Sequence, residues 1–118
     1  MSADHATTPS ARGYRQPAEW APHAATWLSW PHNRDSWPGV FEGVEPAMVE
    51  FVRALAQCEP VHTNVRGAEH ERQVRKVLPS AVPPERLRLF HFPTNDAWAR
   101  DHGAIFVTRP TVEAPLLA

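Results

Sequence analysis

Cysteine is nearly missing from this chain: among 118 residues, Cys58 is the single thiol. One thiol excludes an internal disulfide framework and a cysteine-built zinc cluster, and it fits a reducing, cytoplasmic setting. An excess of charge of one sign is lacking too. The 12 basic and 13 acidic residues leave a formal charge of −1. That balance gives neither nucleic acid nor an acidic membrane surface an electrostatic reason to bind. No apolar run approaches the roughly 20 residues of a membrane span. Met1 to Arg12 has no apolar core and does not read as a secretory signal, so residues 1–14 are expected to form a disordered leader. The remaining expectation is a soluble chain with room for one small domain.

Proline and tryptophan, by contrast, are plentiful, at 13 and 5. Trp20, Trp27, Trp30 and Trp37 fall in one proline-rich stretch. Proline fixes φ and removes a donor, so this stretch should be extended and turn-rich. Tryptophan is costly to leave in water, so the stretch must pack, as the wall of a binding site would. Thr26 to Trp30 reads as a first strand stopped by Pro31, and residues 31–39 as a loop. Val44, Met48, Phe51, Val52, Leu55 and Ala56 recur at helical spacing, with Pro46 expected in the first turn.

Val61 to Val65 reads as a second strand. Glu69 to Leu78 is a shorter helix with Val74, Val77 and Leu78 facing inward. Arg72, Arg75 and Lys76 form its solvated side. Leu87 to Phe92 alternates as a half-buried strand does, residues 93–96 form a turn, and Gly103 to Val107 reads as a fourth strand. Strand, helix, strand, helix, strand, strand argues for an α/β layer. Residues 108–118 carry no pattern and are expected to be an unstructured tail.

The chemistry lies between the last two strands, where Asp96, Trp98, Arg100 and Asp101 fall within six positions. A carboxylate beside an indole suits a flat cation. The carboxylate accepts two parallel N–H bonds from a guanidinium fork, and the indole face stacks on its plane. The competing reading is a solvated loop, with Arg100 and Asp101 as surface charges and Trp98 as a core residue. A second cluster, His32, Asp35 and Trp37, is equally open. It is either a wall or lid of the same pocket, or an ordered turn capped by Asp35 with Trp37 covering the core. His23 and His102 have no metal-ligand spacing with another histidine.

The segment Asn95-Asp-Ala-Trp-Ala-Arg-Asp-His-Gly-Ala-Ile-Phe-Val107 resembles the Asn-Asp-x-Trp-x-Arg-Asp-x-Gly-Pro-x-Phe-Val stretch of the agmatine deiminase and bacterial peptidyl-arginine deiminase family. Residues 16–33, continued by Asp35, Trp37 and Pro38, are similar to the family's opening strand and loop. The resemblance covers roughly residues 15–107, the N-terminal part of a guanidine-deiminase domain. It implies a partial pentein (α/β-propeller) fold, about one strand-helix unit plus the start of the next.

It also implies that Asp101 is the carboxylate that holds the substrate guanidinium and matters to rate as well. Trp98 and Asp96 are then substrate-binding residues. Asp96 is also placed to cap its own turn, and Arg100 to brace the loop. The implied substrate is a small guanidinium cation, agmatine or an arginine side chain, handled without metal or organic cofactor. In the family a cysteine thiolate attacks the guanidinium carbon, ammonia leaves and water hydrolyses the thiouronium.

Two parts of that chemistry are missing from the sequence. The family's late cysteine has no counterpart, and none of the seven histidines stands in a Gly-His-x-Asp context. Cys58, outside the motif and at the end of a helix, is expected to be a buried structural thiol. The reading is therefore an N-terminal portion, silent as a deiminase by itself. A non-catalytic guanidinium-binding module and a non-functional gene fragment are the alternatives.

Overall fold

The computed structural model describes residues 8–110 and the backbone of 116–117. Two compact units are present, residues 23–103 and a smaller one built from residues up to 22 together with those from 104 onward.

The larger unit is a three-stranded parallel sheet in the order β1 (Thr26–Ser29), β2 (Val61–Val65), β3 (Leu87–His91). Helix α1 (Phe41–Leu55) joins the first two strands and α2 (Ala68–Val77) the second pair. Parallel neighbours require crossovers of this kind. Thr26 and Leu87 both pair with Val61, and Leu28 and Leu89 both pair with Thr63. One face therefore carries Leu28, Val61, Thr63, Val65, Leu87 and Leu89. Val52 from α1, Ala56 at its C-cap and Val74 from α2 close over that face, with Trp30 and Val82 completing a single buried cluster.

On the opposite face the Trp27 ring meets His62 at 4.9 Å and Phe90 at 4.7 Å, centroid to centroid. Arg88 lies over the Phe90 ring. Burial is the larger cause, and Arg88 the second, that moves His62 below its ordinary pKa.

The structure corrects several expectations. Helix α1 begins at Phe41 and carries Pro46 in its interior. Proline leaves the Glu42 carbonyl without its usual amide donor, but Glu42 is exposed, where such a carbonyl is least costly, and the helix passes through. Phe51 and Val77, expected to face inward, are exposed, whereas Val52 and Val74 occupy the core positions. The fourth strand at 103–107 does not form, and Ile105 and Phe106 are 76% and 50% exposed. A run of β-formers without a neighbouring strand to bond has nothing to fix it as one. Just before it the motif contains a single helical turn, α3 (Ala99–His102).

In the smaller unit residues 8–13 form a hydrogen-bonded turn in which Gly13 takes φ +81°. Arg15 and Thr108 exchange two backbone hydrogen bonds of 2.8 Å. Thr108–Arg109 (β4) pairs antiparallel with Leu116–Leu117 (β5). Arg109 lies over the Tyr14 ring at 4.8 Å. The expected tail thus includes a short strand pair, while residues 111–115, 118 and the leader's first seven lie outside the described residues. Among the described residues no helix is long and apolar enough to cross a membrane.

Candidate functional site

Because the three strands run parallel, the segments following β1, β2 and β3 leave the sheet at the same end, where α/β folds place their ligands. Two of these segments are joined side by side. His32 Nε2 donates to the Thr94 carbonyl at 2.7 Å. The Ser36 hydroxyl donates to Asp96 Oδ2. The Trp37 ring stacks on Trp98, with centroids 5.2 Å apart and planes 27° from parallel. Contacts between residues 60 and 62 positions apart in sequence thus bind the loop after β1 to the loop after β3.

Local chemistry shapes each half of this clasp. Asn33 Oδ1 accepts from the Asp35 amide at 3.1 Å and starts a 3-10 turn over Arg34–Ser36. The cap is therefore Asn33 rather than the expected Asp35. Arg34 bonds Glu42 and lies over the Phe41 ring, tying the turn to the start of α1. Across the clasp, Asp96 Oδ1 accepts from the Ala97 amide at 2.8 Å, the expected turn cap. The Ser36 hydroxyl, and after it the Ala97 amide, the Trp98 indole and His32, hold the Asp96 carboxyl below its ordinary range despite partial burial.

Trp98 is the N-cap of α3, and the amides of Asp101 and His102 both donate to its carbonyl, at 3.0 and 3.2 Å. This one turn sets Asp101 three positions beyond Trp98, in the same short helical turn that Trp98 caps. Trp98 is 46% exposed and Asp101 is exposed, so both present surface to a ligand. The tight end of the turn, where Gly103 donates to Ala99 O at 2.7 Å, would drive a β-carbon at Gly103 into the Ala99 carbonyl. Glycine is required there by close approach.

The third segment contributes Arg66, whose amide donates to His70 Nδ1 at 3.1 Å. The His70 and His32 rings meet edge to face at 5.9 Å. Burial first, then Arg66 and His32, push the His70 pKa down against the pull of Glu45. An open groove of about 620 Å³ runs here, bordered by His32, Arg34, Asp35, Arg66, Thr94 and Asn95. Among the described residues no group of three or more His, Cys, Asp or Glu side chains is placed to hold a metal ion.

Cys58 is exposed rather than buried. It follows α1 and precedes β2, so it lies at the start of the strands, opposite the clasp. The five residues of β2 alone separate those ends by roughly 13–16 Å. Of the two clusters seen in the sequence, His32 and Trp37 join the segment of Asp96 and Trp98, and Asp35 remains at the groove edge. Ser36 was not singled out, since a serine in a turn carries no signal of its own.

Residues 15–117 match the family model for Porphyromonas-type peptidyl-arginine deiminase. The chain belongs to that family. Similar curated proteins include agmatine deiminase of Ectopseudomonas mendocina, 39% identical over 101 residues, which are 86% of this chain and 26% of that protein. Agmatine deiminase of Stutzerimonas stutzeri is 38% identical with the same coverage. Among solved structures, the agmatine deiminase of Enterococcus faecalis superposes with a TM-score of 0.71 at 30% identity, over 85% of this chain and 26% of that one. The fold is accordingly part of a pentein, and the chain spans about a quarter of the length of these relatives. The deiminase-family segment 95–107 thus begins in a loop clasped at the sheet's C-terminal end and enters α3.

Proposed function

We propose that this chain is the guanidinium-holding, N-terminal portion of an agmatine deiminase-like hydrolase, and that it holds its ligand without converting it. The observation that carries the reading is the pairing of half-exposed Trp98 with exposed Asp101 one turn further on, on a loop fixed at the sheet's C-terminal end. Asp101 accepts two N–H bonds from the ligand guanidinium and Trp98 covers its flat face. Asp96, engaged by Ser36 and the Ala97 amide, supports them from behind. In a complete deiminase the same carboxylate would keep the substrate protonated and fixed while a thiolate attacks its carbon, so Asp101 would act on rate as well as affinity.

The position of Cys58, the single thiol, supports silence as a deiminase. Cys58 opens to solvent at the far end of the strands and cannot reach a guanidinium lying on Trp98. A complete domain would take agmatine to N-carbamoylputrescine and ammonia, a step toward putrescine. An arginine side chain is the other substrate compatible with the same clamp.

Titration calorimetry of the full 118-residue chain with agmatine, beside an ammonia-release assay, tests the reading. Binding without ammonia is expected, with Asp101→Asn weakening it by about 10- to 100-fold, the worth of one charge-assisted fork. Turnover that disappears in Cys58→Ala would refute the holding-only reading.

A further inference from the structure

The structure assigns Ser36 and Trp37, residues of the loop after β1, as positioning residues for the guanidinium clamp: they set the tilt of the Trp98 ring and hold the loop that leads into Asp101. This inference rests on the guanidinium-binding reading and adds to it a second loop.

Three observations support the assignment. Trp98 is close to half exposed and leads a helical turn of only four residues, too short to hold a large ring in one orientation by its own backbone. Its ring stacks on Trp37 at 5.2 Å, and its indole N–H engages Asp96, itself tied to Ser36. The residue two positions earlier, Asp96, is fastened to the neighbouring Ser36. Ring and backbone of the clamp are therefore both referenced to the pair 36–37. Asn33 and Glu42 in turn fix that pair, through the cap of the 3-10 turn and the Arg34 contact. With Trp37 behind it, Trp98 keeps one indole face for a ligand.

The hydrogen bonding of Trp37 sharpens the prediction. Its indole Nε1 is buried and has no hydrogen-bond partner among the described residues. The ring therefore acts through its face and its N–H does nothing for the clasp. Phenylalanine keeps the face and removes a buried donor that costs free energy. Trp37→Phe should preserve the clamp, whereas Trp37→Leu should release it, although both leave an apolar side chain in place.

Two readouts on the full chain test this. Near- and far-ultraviolet circular dichroism of the ligand-free protein should show an exciton couplet from the Trp37–Trp98 pair, identified by its loss in Trp98→Phe. Calorimetry with agmatine should give Trp37→Phe within about twofold of the parent. Trp37→Leu should be two- to tenfold weaker, the size of one aromatic pair. Ser36→Ala should retain the fold, reduce the couplet and weaken agmatine to a similar extent. A parent protein without the couplet overturns the assignment whether or not agmatine binds. So does Trp37→Leu binding agmatine as tightly as the parent while Asp101→Asn does not; that result leaves the guanidinium reading standing. If the couplet behaves as described but Asp101→Asn has no effect on agmatine, the guanidinium reading fails, and with it any part for these residues in binding.

Discussion

Replacing Trp30 by phenylalanine tests the link between core and site. Trp30 is fully buried, follows β1 directly and donates its indole N–H to Glu45 Oε2 at 3.0 Å. Phenylalanine leaves about 35–40 Å³ unfilled, which at about 24 cal/mol per Å³ costs roughly 0.9 kcal/mol. Losing a hydrogen bond to a carboxylate adds about 1.5–2 kcal/mol, toward the low end of the charged range because half-buried Glu45 recovers part of its hydration. The sum is about 2.5 kcal/mol. A compact unit of some 80 residues has roughly 4–12 kcal/mol in all, so the loss is a large fraction. With an m-value of about 1 kcal/mol/M, the urea midpoint should fall by about 2.5 M. Glu45→Gln keeps an acceptor and should cost less than about 1 kcal/mol. A Trp30→Phe shift below about 0.5 M, or a Glu45→Gln loss as large as that of Trp30→Phe, would refute the reasoning.

Acid should weaken the fold through its histidines. The pKa of His62 and of His70 is lowered chiefly by burial, so the unfolded chain binds protons that the folded one refuses. Stability is then lost as pH falls through the ordinary histidine value of 6.5 toward the depressed folded values. Urea midpoints measured from about pH 7.5 to 5.5 should decline, and the slope should flatten in the His62→Gln, His70→Gln double variant. Pro46→Ala tests where α1 begins. A proline inside a helix is expensive, so alanine should raise stability by about 1–2 kcal/mol in urea denaturation; no gain would place Pro46 in the first turn after all.

The three strands and both long helices were legible in the sequence, the first strand from β-formers stopped by Pro31, the third from its alternation and α1 from the helical spacing of its apolar residues. Val61, Thr63 and Val65 alternate inward, and Val52 and Val74 sit at core positions of amphipathic helices. What depended on tertiary contacts was not legible. Helix α3 is one turn long, below the length at which propensity or periodicity has meaning. The β-rich run 103–107 looked like a strand because its composition says nothing about whether a partner strand is present. Cys58 was expected inside because free cysteines usually are, yet the residues linking α1 to β2 turn outward.

The tryptophans share a composition but not a role. Trp30 fills the core, Trp27 lies on the opposite sheet face, Trp20 stands in solvent and Trp37 stacks on Trp98. Proximity in sequence gave them one expected function, and the alternation of the strand separated them. The site itself was half visible. Trp98 and Asp101 stood out by residue type, but the contact of 36–37 with 96–98 joins loops 60 positions apart, which no local pattern encodes.

That separation has a consequence for the order of assembly. The partners of β1 in β2 lie 35 residues away and those of β2 in β3 only 26, so each β-α-β passage can close on its own loop. The Ser36–Asp96 and His32–Thr94 contacts cannot form until β3 has docked, because only then are their two loops at the same end of the sheet. Interactions made after the rate-limiting step slow unfolding and leave the folding rate alone. The clasp thus depends on β3 being in place, so any perturbation that loosens β3 from β2 also loosens the loop that would grip a guanidinium.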